Sequence, residues 1–186
     1  WCKIQQLKSV AVLDADRNLG AQLYAERGGP LPYQVFPISR YRSALKEASD
    51  LIIIDGQASP ELAELKELAQ DSDRVLVPAT PHKVSLLLAV EVAEVMRSCD
   101  VDFSIVLTKC DSRQFRAVES AVEFLKAEEL PVLNGRTTLL SAYEQAEAAG
   151  ALVGEATTDS GKKNPRSGDA WEEISIIAEQ ITRGLI

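Results

Sequence analysis

Short apolar runs alternate along this chain with longer stretches of helical spacing, and this alternation constrains the fold more than any other feature. Two of the runs, 10–13 (VAVL) and 51–54 (LIII), are apolar at every position rather than at alternate positions. This pattern is typical of strands whose two faces are both covered, as in a parallel sheet between helices. We therefore predict an α/β fold, with a doubly wound, mostly parallel sheet and helices on both faces.

The predicted strands are short and mostly rich in β-branched residues: 9–13, 34–36, 51–54, 74–77 and 103–107, with a weaker one at 131–133. Helical spacing covers 60–70, 82–97, 113–127, 138–149 and 170–185. Ser59 is the predicted N-cap of the first of these helices, and Gly150 the predicted C-cap of the fourth. Residues 157–169 are polar and low in complexity, which predicts a mobile loop before the last helix.

Composition and charge exclude several classes of protein. There are 20 basic and 28 acidic residues, so the net charge is −8 and the average surface repels phosphate backbones. The most apolar stretch, 84–96, is interrupted by Glu91 and Glu94 and is shorter than the ~20 residues of a bilayer span. We predict no membrane span. The three cysteines do not have the spacing of a zinc site, and no signal peptide is visible. We therefore predict that the protein lies in the reducing cytoplasm.

Polar residues follow the predicted strands at the point where each strand ends. Ligands of an open parallel sheet bind outside the carboxyl ends of its strands, so these residues are the candidate site. A single acidic residue there can simply precede a helix N-terminus. Several carboxylates on one rim repel each other, and in the absence of His or paired Cys they favour Mg²⁺. The candidates are Asp14 and Asp16 after the first strand, Asp55 after the third, Thr80 and Pro81 after the fourth, and Thr108 and Lys109 after the fifth.

Six segments, in the same order, resemble the ParA/MinD group of P-loop ATPases, and most closely its small plasmid-partition ParA proteins. SVAVLDAD (9–16) resembles the strand that ends in D-x-D, and DLIIIDGQAS (50–59) resembles the Walker B strand. Residues 74–96, which begin RVLVPATP, are similar to the V-P-x-x-P segment and its helix. FSIVLTKCDSR (103–113) resembles the strand before the base-contacting loop. Residues 130–155 and AWEEISIIAEQI (170–181) resemble the last part of the family's domain.

This resemblance implies a cytoplasmic or nucleoid-associated ATPase that partitions DNA or positions cellular cargo. ATP and Mg²⁺ would be held in a homodimer, and a ParB-like or other partner protein would stimulate hydrolysis. By resemblance, Asp16 orients the attacking water, Asp14 supports the magnesium shell, and Asp55 holds Mg²⁺ through water.

The resemblance also assigns residues outside the carboxylate group. Thr80 and Pro81 would lie near the dimer seam, and Thr108 and Lys109 would border the base. ParA-type ATPases bind DNA nonspecifically through basic residues, which in this chain include Lys162, Lys163, Arg166 and Arg183.

One defining feature of the family is missing from the 186 residues. No G-x-x-x-x-G-K-[ST] loop, which would cradle the phosphates, occurs in them. Residues 1–7 (WCKIQQL) resemble the end of the helix that follows this loop, and the only methionine is Met96. We therefore expect that 1–186 is a single ParA-like domain without its first strand and P-loop, and that these residues alone are inactive as an ATPase. Residues 17–19 (RNL) also depart from the family's Pro-Gln and small residue.

The alternative is a response-regulator receiver domain, which accepts a phosphoryl group and is not an ATPase. Such domains carry an acidic pair, then Asp, then Thr or Ser, then Lys after successive strands, an order satisfied by Asp14, Asp16, Asp55, Thr80 and Lys109. Three features favour the ATPase instead. Ala15 splits the acidic pair, Cys110 stands where receivers usually have Pro, and a receiver would end near Lys126.

Overall fold

The computed structural model describes residues 1–6, 8–48, 50–58 and 60–185. Contacts divide the chain into two compact units, the first formed by 1–60 and 141–171 and the second by 61–140 and 172–185. Each unit contains a three-stranded parallel sheet with helices, which confirms the predicted doubly wound, mostly parallel α/β class. That the whole chain is a single domain stays a prediction.

In chain order the elements are α1 (Cys2–Gln5), β1 (Val10–Asp14), α2 (Gly20–Arg27), β2 (Gln34–Pro37), α3 (Tyr41–Glu47), β3 (Leu51–Asp55), α4 (Leu62–Gln70), β4 (Val75–Ala79), α5 (Lys83–Ser98), β5 (Phe103–Cys110), α6 (Phe115–Ala127), β6 (Val132–Thr138), α7 (Ser141–Ala149) and α8 (Ser167–Ile181). Short 3₁₀ turns lie at Ile38–Arg40, Ser112–Gln114 and Val153–Glu155. No helix in the described part of the chain is long and apolar enough to cross a membrane, as the sequence predicts.

The first unit has the strand order β2-β1-β3, with all neighbours parallel. Its core contains the inward side chains of β1 and β2 and two alanines at α3, namely Ala11, Leu13, Phe36, Ala44 and Ala48. Alanines at these positions let α3 approach the sheet closely. The pairing of β1 with β3 places Asp14 directly opposite Asp55.

Strand β3 is an edge strand whose composition is typical of a central one. Within the described residues it pairs with β1 alone. As a result, its apolar side chains are incompletely covered, and Ile53 is 47% exposed. An apolar strand at an open edge offers unpaired backbone groups to another strand, so intact proteins usually cover such edges.

Two glycines allow α2 and α7 to meet closely in the first unit. Gly150 has φ +58°, and the next backbone N–H, that of Ala151, donates to the carbonyl of Ala146 at 3.0 Å. This geometry confirms the predicted C-cap. A Cβ atom added to Gly28, at the end of α2, would lie 2.6 Å from the carbonyl oxygen of Ala149. The Tyr24 hydroxyl donates to the carbonyl of Ala151 in the same contact.

Gly28→Ala should therefore destabilise the chain, because backbone atoms of α7 would have to shift away from the new methyl group. We expect the free energy of unfolding in urea to fall by about 1–3 kcal/mol, as for other overpacked sites. Gly29→Ala is the matched control, because a Cβ atom there meets nothing within 4 Å. Equal losses in the two variants would contradict this account of the contact.

The second unit has the strand order β4-β5-β6, also parallel. Its core is larger and lies between the sheet and α4, α5 and α6, with Met96, Ile105, Leu107 and Leu125 almost completely buried. The weak strand predicted at 131–133 is in fact the seven-residue β6. The side chain of Gln180 helps to hold this polar strand, since its Oε1 accepts from the backbone N–H of Asn134 at 2.9 Å.

Several predicted helix boundaries were wrong. Helix α4 begins at Leu62 rather than residue 60, with Glu61 as N-cap; Ser59, the predicted cap, lies outside the described residues. The backbone N–H of Glu61 donates to the Glu64 carboxylate at 3.4 Å, which favours the later start. Thr138 belongs to β6 and not to a helix, because it pairs with Cys110 of β5. Its N–H and hydroxyl also donate to the Glu173 carboxylate at 3.0 and 2.6 Å.

The last helix, α8, begins and ends earlier than predicted, at Ser167 and Ile181. Its first residues lie inside the predicted loop 157–169. Asn164 is buried just before it, and its Oδ1 accepts from the backbone N–H of Arg166 at 2.7 Å while its Nδ2 donates to Gln145 at 2.7 Å. This anchored asparagine fixes the backbone ahead of the helix, which the polar sequence does not reveal.

Candidate functional site

Three carboxylates meet at the carboxyl end of the first sheet. Asp14 and Asp55 end neighbouring strands in register, and the backbone N–H of Ala15 donates to the carbonyl of Asp55 at 2.9 Å. Asp16 follows two residues after Asp14. The structure thus brings together the three acidic residues that the sequence singles out.

Asp14 is a buried hydrogen-bond acceptor and is only 1% exposed. Its Oδ1 accepts from the backbone N–H of Asp16 at 3.1 Å, and its Oδ2 from the backbone N–H of Gln22 at 3.0 Å and from that side chain at 3.4 Å. The Gln22 N–H belongs to the first turn of α2, where backbone donors have no partner within the helix. Asp14 therefore ties the end of β1 to the start of α2.

Asp16 has a different environment from Asp14. Its side chain is partly exposed, and its Oδ1 accepts from the backbone N–H and the side-chain amide of Asn18 at 2.9 and 3.1 Å. These bonds form an Asx turn. The N-cap of α2 is Leu19, so Asp16 does not cap this helix, and its structural role is in the turn.

Asp55 is the most exposed carboxylate of the three. Partial burial, followed by the negative charges of Asp14 and Asp16, raises its pKa above the ordinary value. A cation near Asp55 would relieve this repulsion. The cluster is therefore electrostatically suited to a positively charged ligand.

One further residue beside Asp55 was not singled out from the sequence. The Oε1 atom of Gln57 is buried and has no hydrogen-bond partner in the structure. Buried side-chain oxygen atoms are nearly always paired with a donor, so this atom can accept a hydrogen bond from a bound group or water. Its position two residues after an apolar strand was the only signal for it.

Direct coordination of a metal by several acidic side chains is not seen. Among the residues that the structure describes, no group of three or more His, Cys, Asp or Glu side chains is arranged to hold a metal ion. Both oxygens of Asp14 already accept hydrogen bonds. The arrangement fits a cation whose water shell contacts Asp55, while Asp14 holds the neighbouring backbone through its hydrogen bonds.

The second unit places Thr80 and Pro81 just after β4. The backbone N–H of Thr80 donates to the hydroxyl of Ser85 at 2.9 Å, which joins this turn to the first turn of α5. On the neighbouring strand, the hydroxyl of Thr108 donates to the carbonyl of Ala79 at 3.4 Å. The predicted residues of this unit thus lie at the carboxyl ends of β4 and β5, and Ser85 is an addition that sequence reasoning missed.

Lys109 has an unusual backbone at the end of β5. Its φ is +53°, in the left-handed region, and the pairing of β5 with β6 shifts register between Leu107 and Cys110. Its N–H donates to the hydroxyl of Thr137 at 3.3 Å, while its side chain is exposed. Bulges and left-handed non-glycine residues often occur beside functional sites, where they redirect a side chain.

Asp111 also follows β5, but its carboxylate forms an ion pair with Arg113. Its carboxylate accepts from the backbone N–H and guanidinium of Arg113 at 2.8 to 3.0 Å, and these bonds lower its pKa to about 2. It serves the turn that precedes α6. The basic residues of the loop before α8 are exposed, and one of them, Arg166, pairs with Asp169.

Comparison with known proteins adds no assignment to this geometry. No protein-family model matches the chain, and no curated protein matches it. The resemblance to ParA/MinD ATPases therefore rests on the segments quoted above, and the activity, ATP, Mg²⁺ and partners stay predictions.

Proposed function

We propose that this chain is part of a ParA-like ATPase that partitions DNA or positions cargo in the cytoplasm. The observation that carries the proposal is the environment of Asp55. This carboxylate ends an apolar strand, lies in register with Asp14, and has a raised pKa because of burial and two neighbouring negative charges. Such a position suits a residue that contacts the water shell of a nucleotide-bound cation.

Each of the three carboxylates would have a different role in ATP hydrolysis. Asp55 would hold Mg²⁺ through water, and the metal would neutralise charge on the phosphates. Asp16, partly exposed on its Asx turn, would accept a hydrogen bond from the attacking water and orient it. Asp14 would keep β1, the turn and α2 in fixed positions through its own hydrogen bonds. Phosphoryl transfer depends largely on such positioning.

The open edge of β3 supports the further proposal that a strand and P-loop precede Trp1. Among the described residues this apolar strand pairs with β1 alone, although its composition is typical of a strand with two neighbours, and Ile53 is nearly half exposed. A preceding strand, joined to β1 through α1, would supply the missing backbone partners. β1 itself has no free edge, because β2 and β3 flank it.

The remaining assignments follow the resemblance. Thr80 and Pro81 would line the seam of an ATP-dependent homodimer, and Thr108 and the exposed Lys109 would border the base. A ParB-like partner would stimulate hydrolysis. Nonspecific DNA would be a further partner of the assembled protein.

A receiver domain is the second candidate, and the exposure of Asp55 beside two acidic residues favours it. The two functions predict different chemistry at this carboxylate. We expect intact mass spectrometry to show no phosphate adduct after incubation of the chain with acetyl phosphate and Mg²⁺, because Asp55 would contact the water shell of a metal rather than attack phosphorus. Asp55→Asn is the control. An adduct on the unmodified chain that is lost in this variant would establish the receiver function.

A further inference from the structure

The outer side of α3 and the turn before it combine exposed apolar and basic side chains. Ala44 and Ala48 face the core and are buried. Beside this buried face, Ile38, Tyr41 and Leu45 are 44%, 47% and 56% exposed, and Arg42 and Lys46 lie on the side away from the core. We call this region the α3 surface, and it consists of Ile38, Arg40, Tyr41, Arg42, Leu45 and Lys46, all exposed.

The apolar and basic residues of the α3 surface form two adjacent rows. Tyr41 and Leu45 are four residues apart, as are Arg42 and Lys46, so each pair follows one side of the helix. Ile38 lies in the 3₁₀ turn directly before α3 and extends the apolar row. Arg42 lies against Tyr41, with its Nε donating to the phenol oxygen at 3.2 Å and its guanidinium carbon 5.8 Å from the ring centre. The cation is thereby held beside the apolar row.

The basic residues of this surface are not neutralised by nearby carboxylates. Within the part of the chain that the structure describes, Arg40, Arg42 and Lys46 form no ion pair, and the Arg40 guanidinium carbon lies 5.7 Å from the centre of the Phe36 ring. Residues 36–46 contain three positive charges and no negative one, in a chain of net charge −8. The next acidic residue, Glu47, accepts a hydrogen bond from Gln34 at 3.0 Å.

We propose that the α3 surface binds an anionic lipid surface, with the helix lying along the membrane rather than crossing it. The basic side chains are complementary to the headgroups of anionic lipids, and the three apolar side chains can enter the boundary between headgroups and acyl chains. The repulsion from acidic residues elsewhere is screened over about 8 Å at physiological ionic strength, so the local charge decides the contact.

Other anionic partners fit this surface less well. Nucleic acid is recognised by contacts to phosphates and bases, for which Ile38 and Leu45 offer no hydrogen-bonding group. A partner helix would be bound by an apolar groove, whereas the side chains of the α3 surface project from a convex helix and form no groove. The proposal is independent of the proposed ATPase function, because it uses none of the residues of the carboxylate cluster.

Sedimentation with lipid vesicles tests this proposal on the 186-residue chain. We expect the chain to bind vesicles of equal parts phosphatidylcholine and phosphatidylserine and not vesicles of phosphatidylcholine alone. A basic residue near such a surface contributes about a fivefold change in binding, so the combined variant Arg40→Gln, Arg42→Gln, Lys46→Gln should bind about a hundredfold more weakly. The apolar variant Tyr41→Ser, Leu45→Ser should also bind more weakly.

A matched control removes three positive charges from elsewhere. Lys162→Gln, Lys163→Gln, Arg166→Gln has the same change in net charge, but residues 157–169 expose no large apolar side chain. This control should keep most of the binding. Equal loss in the two triple variants would overturn the proposal, as would failure of the unmodified chain to bind phosphatidylserine vesicles. Retention of duplex DNA in place of vesicles would also overturn it.

Discussion

Replacing Asp16 with Ala should nearly abolish ATP turnover while leaving ATP binding largely intact, in a chain extended by the proposed P-loop. Asp16 is partly exposed on an Asx turn beside Asp55 and does not cap α2, so its carboxylate is available to orient a water molecule. Loss of such positioning costs about a hundredfold in rate. Turnover and ATP affinity measured on the same preparation test this expectation.

Two comparisons make the Asp16 result interpretable. Asp55→Ala should weaken the Mg²⁺-dependent part of ATP binding, because the proposed contact to the metal's water shell is lost. The 186 residues without extension should show no turnover, since they contain no phosphate-binding loop. If Asp16→Ala retains near-normal turnover and loses only about 1 kcal/mol of stability, Asp16 is merely a turn residue.

Hydrophobic pattern was sufficient to predict five of the six described strands. The run 10–13 is apolar throughout, and a parallel sheet covered on both faces accommodates it without exposing apolar surface. The polar strand β6 was nearly missed, because its residues Asn134, Gly135 and Arg136 carry no such signal. Their conformation depends on pairing with β5 and on the side chain of Gln180 in α8, which is distant in sequence.

The short helices α2 and α3 were not predicted, because they too depend on contacts with other elements. Helix α2 has eight residues and begins after Leu19, whose φ is +54°. Its first turn is held in part by the Asp14 carboxylate, which accepts from the backbone N–H of Gln22. Asp14 belongs to β1 and precedes Gln22 by eight residues. Local propensity cannot report a cap that comes from another element.

The proximity of the three carboxylates was predictable from the sequence, but the environment of each one was not. The ends of apolar strands indicated Asp14, Asp16 and Asp55 correctly as neighbours. The sequence could not distinguish a buried acceptor from an exposed carboxylate, since that difference depends on which backbone donors the fold brings to each oxygen. The same limit applies to Gln57, whose unpaired oxygen is a property of packing.

Asp14→Ala should cost more stability than any other single change in the carboxylate cluster. The variant leaves the backbone N–H groups of Asp16 and Gln22 without their acceptor next to a buried strand end. An unsatisfied buried donor costs about 1–3 kcal/mol, and two donors are affected. The free energy of unfolding in urea, measured at neutral pH, gives the loss directly.

Asp16→Ala is the matched control for this measurement, because it makes the same change two residues later at exposed hydrogen bonds. We expect it to lose less than half of what Asp14→Ala loses. Equal and small losses would show that the hydrogen bonds of Asp14 do not hold α2 in place. A large loss in Asp14→Ala alone would show that the hydrogen bonds of Asp14 hold the turn and the start of α2 in place.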